Sequence, residues 1–478
     1  MLTYWSLIAK GSVMRILRNI TPNKEQMTLG QSGKSGVVLI RGAAGSGKTS
    51  TALLRLKLLT GVYEIQRERQ DRTDPVKILV LTYNTTLKGY IEELVREHAK
   101  DAKKSEIDIL TFGKWSRDRL GITQRIVEES AQNKIIELGG NIELPERFLC
   151  DEVEYALGRF LPEDIHDYIT AGRTGRGNSP RMDGGKREQL IEEVLIPYGQ
   201  WKSENGDFDW NDLAVQAATK SFDEKYDIII ADEAQDFSAN QIRAINNALA
   251  EEHSLTFVLD TAQRIYARGF TWKEAGILVQ PENSYKLSEN FRNTKQIARL
   301  AAPLVEGLAI GDDGSLPNFD TCQREGEVPN ILVGYFNQQV SCVIDYIKNN
   351  VDLKNETVGM LNMGGSPKYI KEAFIKSGLE YVSITRNSEW PDGDENIAFS
   401  TLHSAKGLEF DHVFILGLSE EFNSHGDDED DDRLITLRRL LAMGIGRARE
   451  TVTLGYKPGE ESILLKYLVN GTYQEVVL

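Results

Sequence analysis

The sequence predicts an α/β fold in which two parallel-sheet lobes are stacked, and two observations predict it. A glycine-rich segment, GAAGSGKT, follows the apolar run GVVLIR and precedes the helical pattern STALLRLKLL. Short apolar runs typical of buried parallel strands recur along the chain, separated by helical patterns. They form two sets, at 37–40, 77–83, 227–232 and 255–260, then at 330–336, 356–363, 379–385, 395–402 and 412–418. Two sets of strands indicate two sheets, with ligands beyond the carboxyl ends of the strands.

The glycine-rich segment matches the phosphate-loop pattern G-x-x-x-x-G-K-[ST]. Its glycines let backbone N–H groups wrap phosphates at a helix N-terminus, where Lys48 bridges the β- and γ-phosphates and Thr49 holds Mg²⁺. We therefore expect the segment to bind ATP. The residues expected to contact the nucleotide here are Gly42, Ala43, Ala44, Gly45, Ser46, Gly47, Lys48 and Thr49.

A phosphate loop also needs a carboxylate for the metal and a group that orients the attacking water. The string YDIIIADEAQDF supplies both at the end of an apolar run. We expect Asp232 to hold Mg²⁺ and Glu233 to act as the base that polarises water.

Composition limits the class of protein. The chain has 478 residues, of which 40% are hydrophobic, and a net charge of −16. That charge argues against a surface that coats nucleic acid, although it permits a narrow basic channel. The N-terminal MLTYWSLIAK lacks the features of a signal peptide or a membrane span, so we expect a cytoplasmic protein with no membrane partner. Three dispersed cysteines predict buried thiols without a disulfide or zinc site.

Much of the acidity lies in GDDEDDD at 426–432. Such a run is most simply a solvated loop. A metal site or a partner-binding surface is the alternative interpretation.

Further strings follow in order: TPNKEQ before the phosphate loop, DEAQD, LDTAQRIY at 259–266, LSENFRNT at 287–294, STLHSAKGLEFDHVFILGL at 400–418 and RRLLAMGIGRARE at 438–450. Together they resemble the motifs of superfamily 1 helicases of the UvrD/Rep type, over nearly the whole chain. The resemblance implies an α/β protein of two tandem RecA-like P-loop NTPase lobes, with a mostly helical insertion in the first. It also implies a motor that closes its lobes on ATP and moves along single-stranded DNA, usually 3′ to 5′.

The domains expected from this resemblance are a first lobe, 1A, at 1–115 and 206–285, a helical insertion, 1B, at 116–205, and a second lobe, 2A, at 286–478. Within the insertion, residues 172–187 form a Gly- and Arg-bearing segment. Its cations suit phosphate contacts, and a plain solvated loop is an equal alternative. They are Arg173, Arg176, Arg181, Lys186 and Arg187.

The resemblance assigns further ATP contacts. Gln26 would read the adenine edge, and Glu409 would accept a hydrogen bond from the ribose. Phe291 would stack on the adenine ring where the family usually has Tyr, with core packing as the alternative.

The resemblance also assigns groups around the γ-phosphate. Gln263 would sense that phosphate. Arg292 and Arg447, both from the second lobe, would be cationic fingers that neutralise the charge developing during hydrolysis. Catalysis would then require the two lobes to close.

For the DNA strand, the family positions fall on Tyr83, Thr111, Phe112, His403 and Lys406. Thr and Lys would hold phosphates while aromatic rings stack on bases. Trp272 and Arg268 stand near the family's base-stacking Trp in a shifted register, so ordinary packing is an equal alternative for both.

The chain departs from the family in several places. Only residues 386–395 stand where UvrD/Rep enzymes insert the large 2B subdomain. Gly446 replaces a Thr, Ala442 replaces a Tyr, and Ser50 replaces an Arg that packs on adenine. Extra backbone freedom at Gly446 beside a catalytic Arg is expected to slow hydrolysis.

The leading hypothesis is an ATP-dependent DNA helicase or translocase that uses ATP and Mg²⁺. The alternative is a nucleotide-switched regulatory subunit of a complex with a partner nuclease, a format that compact members of the family have in antiphage systems. An RNA motor is a weaker third hypothesis, because the motifs do not themselves distinguish a 2′-hydroxyl.

Overall fold

Two parallel β-sheets form the framework of the protein, as seen in a computed structural model. The structure describes residues 27, 29, 35–42, 46–82, 104–124, 126–172, 180–259, 270–287, 293–308, 322, 324–363, 367–385, 395–405, 408–421, 423 and 431–478. Each sheet carries helices on its faces. The predicted class, two stacked α/β lobes with parallel sheets, is confirmed.

The first sheet has the strand order β3-β2-β4-β5-β1-β6, and all its pairings are parallel. Its strands are β1 Gly36–Gly42, β2 Val76–Thr82, β3 Ser105–Thr111, β4 Tyr226–Ala231, β5 Leu249–Leu259 and β6 Ser284–Leu287. Every residue of β4 is buried, as expected for a central strand covered on both faces.

The second sheet has the order β13-β7-β12-β11-β8-β10-β9 and is also parallel throughout. Its strands are β7 Asn330–Val333, β8 Val358–Asn362, β9 Val382–Ile384, β10 Ile397–Thr401, β11 Phe410–Ile415, β12 Ala448–Tyr456 and β13 Gln474–Val477. The central strand β11 is buried along its whole length.

The described α-helices divide among the two lobes and the insertion. They are α1 Lys48–Arg69, α2 Phe112–Leu120, α3 Glu129–Leu138, α4 Glu146–Arg159, α5 Gly184–Leu190, α6 Ile196–Asn205, α7 Trp210–Thr219, α8 Ala239–Asn247, α9 Lys295–Val305, α10 Phe336–Asn350, α11 Lys368–Lys376 and α12 Asp432–Ile445. Helices α3 to α6 form the insertion, together with a short π-helical turn at Ile191–Leu195.

The helical insertion has a hydrophobic core of its own. Leu149, Val153, Leu190 and Val194 are among its buried members. The buried amide of Asn240, on α8, joins it to the first lobe, donating from Nδ2 to the carbonyls of Leu157 at 2.9 Å and Phe160 at 2.8 Å. These features support the predicted 1B unit, whose exact limits stay a prediction.

Arg187 is not available for phosphate contacts. Its guanidinium is buried and donates to the carbonyls of Tyr168 at 3.0 Å, Ala171 at 2.6 Å and Met182 at 3.1 Å. These bonds join Arg187 and Met182, near the end of the Gly- and Arg-bearing segment, to residues 168–171, which precede it. The expectation that Arg187 lies on a phosphate-binding loop is therefore wrong, while Arg173 and Arg176 lie outside the described residues.

The last two residues of the acidic run begin helix α12, while the solvated loop expected for the run stays a prediction. Asp431 caps α12 by accepting hydrogen bonds from the backbone N–H groups of Arg433 and Leu434, both at 3.0 Å. Asp432 follows in the first turn, where negative charge is favourable. The rest of the run, 426–430, lies outside the described residues.

Two predictions from composition concern the thiols and membrane-spanning helices. The cysteines are unpaired; Cys322 is buried, whereas Cys150 and Cys342 are partly exposed. In the described part of the chain, no helix combines the length and the apolar character needed to cross a bilayer.

Helix α1 is fastened to the first sheet through buried arginines. Arg55 donates to the hydroxyls of Thr256 and Ser254, both at 3.2 Å and both on β5. Near the end of the helix, Arg67 pairs with Asp227 at the start of β4, with 9% and 11% of the two side chains exposed. The helix that begins at the phosphate loop is thus held to the strand that leads to Asp232.

We expect Arg67→Met to lower the free energy of unfolding by about 3 kcal/mol, because Asp227 would stay buried without its charge partner. Urea denaturation followed by circular dichroism measures the change. Lys104→Met is the control, since it removes an ion pair with Glu68 in which the side chains are 64% and 58% exposed. That variant should match the wild type. Equal losses of unfolding free energy in the two variants would show that burial of the ion pair is not the cause of the destabilisation.

Candidate functional site

The site lies where β1 and β4 end, with β5 between them. Along this edge, Ile40 pairs with Val258, and Ala231 pairs with Phe257. Neighbouring strands are about 4.8 Å apart, so the ends of β1 and β4 are separated by about 10 Å. Side chains reaching inward from both ends can meet across that gap.

The phosphate loop leaves β1 at Gly42 and enters α1 after Gly47. A Cβ atom on Gly42 would lie 2.3 Å from Ser46 Oγ and 3.0 Å from the Leu287 carbonyl. Gly47 has a φ of 75°, in the left-handed region that favours glycine. Both glycines are therefore required by the path of the chain, and Lys48 and Thr49 fall in the first turn of the helix.

Thr49 and Asp232 meet across the edge of the sheet. The Thr49 hydroxyl donates to Asp232 Oδ2 at 3.0 Å, although the two residues are 183 positions apart. The structure thus joins the phosphate loop to the carboxylate at the end of β4. A hydroxyl and a carboxylate are hard oxygen donors of the kind that Mg²⁺ takes alongside phosphate and water.

The two adjacent carboxylates are costly to keep ionised in this place. Asp232 is 3% exposed and Glu233 is 8% exposed. Burial, followed by the charge of Glu233, raises the pKa of Asp232 to about 7, against the opposing effect of Thr49 and Lys48. A cation at this point would relieve both causes, so the residues present fit a divalent metal.

Glu233 is held in an unusual backbone conformation. Its φ of 52° and ψ of 41° place a non-glycine residue in the left-handed region, which costs about 1 kcal/mol. Gln235 donates from Nε2 to Glu233 Oε2, so the carboxylate is oriented by a side chain two residues later. Strain of this kind clusters at functional sites. Gln235 is not among the site residues predicted from the sequence, although it belongs to the string DEAQD.

In the second lobe, Arg447 lies at the junction of α12 and β12. It is 2% exposed. Its guanidinium donates from Nη1 to the Leu408 carbonyl at 3.3 Å, and its Nε contacts Met443 Sδ at 3.2 Å. The Arg447 carbonyl in turn accepts from Phe410 N at 2.9 Å. Arg447 is therefore packed directly against the segment that contains Glu409, which is partly exposed.

The candidate DNA contacts differ in their surroundings. Thr111 ends β3, where its hydroxyl accepts a hydrogen bond from Lys114 N at 3.3 Å and can still donate to a phosphate. His403 is exposed, in the turn that follows β10.

Phe112 is 4% exposed and packs beside Trp115 and Phe237, with ring centroids 5.4 and 6.1 Å away. This arrangement leaves no ring face for a base, so the structure does not support the stacking role expected of Phe112. Trp272 packs on Phe257 at 4.7 Å between ring centroids, which supports the packing alternative for that residue.

Several of the predicted site residues lie outside the described residues, so their roles stay predictions. They are Gln26, Ala43, Ala44, Gly45, Tyr83, Gln263, Arg268, Phe291, Arg292 and Lys406.

We expect Gly42→Ala to weaken ATP binding by about tenfold or more, because the new methyl group would displace Ser46 and the loop that wraps the phosphates. Titration with a fluorescent ATP analogue measures the dissociation constant. Gly61→Ala is the control, since a Cβ at that point of α1 meets nothing within 4 Å. Matching affinities for the two variants would contradict this account of the loop.

Family models for helicase domains match most of the chain. Residues 22–286 match the family model described as UvrD/REP helicase N-terminal domain. Residues 375–458 match the model described as UvrD-like helicase C-terminal domain. The two matches contain the phosphate loop, Asp232, Glu233, Glu409 and Arg447.

Three similar proteins illustrate the relationship. A probable DNA helicase of Mycoplasma pneumoniae is 22% identical over 461 residues, covering 88% of this chain and 80% of that protein. The ATP-dependent DNA helicase PcrA of Bacillus subtilis is 23% identical over 382 residues, covering 72% and 48%. DNA helicase II of Escherichia coli is 44% identical over 86 residues, covering 18% and 12%. The matched part is thus less than half of the PcrA and helicase II chains. The family models match most of the chain, the structure has two parallel sheets, and the phosphate loop contacts the Asp232 carboxylate. The chain therefore belongs to the UvrD/Rep family of ATP-dependent DNA helicases.

Proposed function

We propose that the protein hydrolyses ATP to move along single-stranded DNA, in the 3′ to 5′ direction, as a cytoplasmic motor. The observation that carries the proposal is the hydrogen bond between Thr49 and Asp232, with Glu233 directly beside it. This arrangement brings the groups for phosphate binding, metal binding and proton abstraction together at one sheet edge. The ATP-dependent DNA helicase named among the relatives supports the choice of DNA.

Hydrolysis would begin with binding of the phosphates by the N–H groups of the loop and by Lys48. Thr49 and Asp232 would hold Mg²⁺, which when bound neutralises charge on the β- and γ-phosphates. Glu233, oriented by Gln235, would take a proton from the attacking water. A bond forms between the water oxygen and the γ-phosphorus, and the bond from that phosphorus to the ADP oxygen breaks.

The second lobe would complete the site. Arg447 and Arg292 would neutralise charge on the transferred phosphoryl group, and Gln263 would report its presence. Because Arg447 belongs to the second lobe, hydrolysis would depend on lobe closure, which is the step that can drive movement. Gln26, Phe291 and Glu409 would bind the adenosine part.

The DNA strand would cross the carboxyl ends of both sheets. Thr111 is the last residue of β3, and in the sequence Tyr83 comes directly after β2, the neighbouring strand. On the second lobe, His403 and Lys406 follow β10. Hydroxyl, cationic and aromatic groups in such a row grip a single strand without reading its sequence.

A second candidate, a regulatory ATPase subunit of a nuclease-containing complex, is favoured by one observation. Only residues 386–395 stand where the resemblance places 2B, so we infer that the chain lacks the subdomain that contacts duplex DNA in those enzymes. Strand separation would then depend on a partner or would not occur.

Steady-state ATPase rates test the proposal: the chain alone, then with single-stranded DNA, duplex DNA and single-stranded RNA. We expect strong stimulation by single-stranded DNA. Stimulation by RNA alone would contradict the choice of DNA. A flat response in all four conditions would favour the regulatory subunit, which copurification with a nuclease would then support.

We expect Glu233→Gln to lower the DNA-stimulated kcat by about 1000-fold, because Gln cannot accept the proton of the attacking water. ATP affinity should be retained, since the phosphate loop is untouched. Phosphate release and nucleotide titration measure the two quantities. Glu251→Gln, at an exposed position on β5, is the matched control and should behave as wild type. A Glu233→Gln enzyme with normal turnover would show that another group is the base.

We expect Arg447→Ala to lower kcat by at least about 1000-fold, the effect of removing a cationic finger. Because Arg447 is buried, thermal unfolding must be measured beside the rate. Arg447→Lys keeps the charge but not the fork of donors, so we expect it to recover stability better than turnover. Wild-type hydrolysis by a folded Arg447→Ala enzyme would remove Arg447 from the site.

A further inference from the structure

The side chain of Asn293 joins two segments of the second lobe. Its Nδ2 donates to the carbonyls of Gly446, at 3.1 Å, and Ala448, at 2.6 Å. The side chain is 2% exposed, so both bonds are shielded from water. A carboxamide nitrogen has two N–H donors, which is what a pair of neighbouring carbonyls requires.

The two carbonyls lie on either side of Arg447. From the opposite direction, the Arg447 carbonyl accepts from Phe410 N at 2.9 Å, as the first bond between β11 and β12. The peptide groups around Arg447 are therefore fixed from both sides. In the chain, Asn293 directly follows Arg292, and Thr294 then caps α9 by accepting from Ile297 N at 3.3 Å.

The chain around Arg447 is held from outside helix α12. The helix ends at Ile445, and the carbonyls of Gly446 and Ala448 lie beyond its last turn. A glycine carries more backbone freedom than any other residue, so Gly446 would loosen the segment around Arg447. The two bonds from Asn293 occupy these carbonyls and restrain the glycine.

We propose that Asn293 is a positioning residue for the phosphoryl-transfer step, holding Arg447 in place through the two carbonyls that flank it. The inference rests on the proposed function, because it takes Arg447 as a group that approaches the γ-phosphate. Asn293 acts on the reaction through the place it gives to Arg447.

A positioning role and a purely stabilising role predict different effects of losing Asn293. If Asn293 only stabilised the lobe, its loss would lower the unfolding temperature and leave the turnover of the folded enzyme intact. If it positions Arg447, its loss lowers kcat at temperatures where the enzyme is fully folded. The KM for ATP should change little, because the phosphate loop of the first lobe is untouched.

The test is Asn293→Asp, which preserves the shape of the side chain while replacing the two donors by an oxygen that repels both carbonyls. We expect kcat to fall about 100-fold, the loss that a misplacement of about 1 Å can cause, with KM for ATP within about threefold of wild type. Phosphate release with saturating single-stranded DNA measures both. If this variant does not fold, Asn293→Ser keeps one donor and should lose about tenfold in kcat.

Asn240→Asp is a matched control. Asn240 is also buried, at 0% exposure, and also donates from Nδ2 to two carbonyls, but it lies at the junction with the helical insertion. We expect a lower unfolding temperature and a kcat within about twofold of wild type. An equal loss of kcat in both variants would mean general destabilisation and would overturn the proposal, as would a normal kcat in Asn293→Asp or in Asn293→Ser.

Arg447→Ala separates the two levels of inference. If that variant retains wild-type turnover, the proposed role of Arg447 fails. If it loses turnover while Asn293→Asp does not, only the positioning role fails. If both lose turnover, combining them should add little to the loss caused by Arg447→Ala, because both act on one interaction.

Discussion

The hydrogen bond between the Thr49 hydroxyl and the Asp232 carboxylate is the contact on which the rest of the site depends. It can form only if α1 leaves the phosphate loop at an angle that brings its first turn over the end of β4. That angle is set far from the site, where Arg55 donates to two hydroxyls on β5 and Arg67 pairs with Asp227 at the start of β4. Helix α1 is therefore fixed along its length, and these contacts determine where its first turn lies.

The two carboxylates of the site are energetically costly for the protein. Asp232 and Glu233 are adjacent and buried, and Glu233 adopts a left-handed backbone conformation. Each feature is unfavourable for the isolated protein. They persist because the strand before them is wholly buried and the helix beside it is held by buried arginines. Stability from packing thus offsets an arrangement that suits the proposed binding of a cation and orientation of water.

Features that follow from local sequence patterns were predicted, whereas features that depend on long-range packing were missed. Apolar runs and the phosphate loop located the central strands and the site. Strand β3 was missed because it alternates between exposed and half-buried residues, and β12 because its polar residues continue directly from the arginine motif. Burial of Phe112 and the inward turn of Arg187 follow from long-range contacts. Asn293 carries no local signal at all, since its partners are 153 and 155 positions away.

The contacts of Arg447 determine how the second lobe can respond to a nucleotide. Its guanidinium lies on the Leu408 carbonyl, and its backbone pairs with Phe410. Glu409 stands between these two residues, so the group expected at the ribose and the group expected at the γ-phosphate share one rigid support. A rigid support cannot engage the ribose and the phosphate independently. Loss of the γ-phosphate would therefore weaken the hold of the whole second lobe on the nucleotide, and the lobe would be released as a single body.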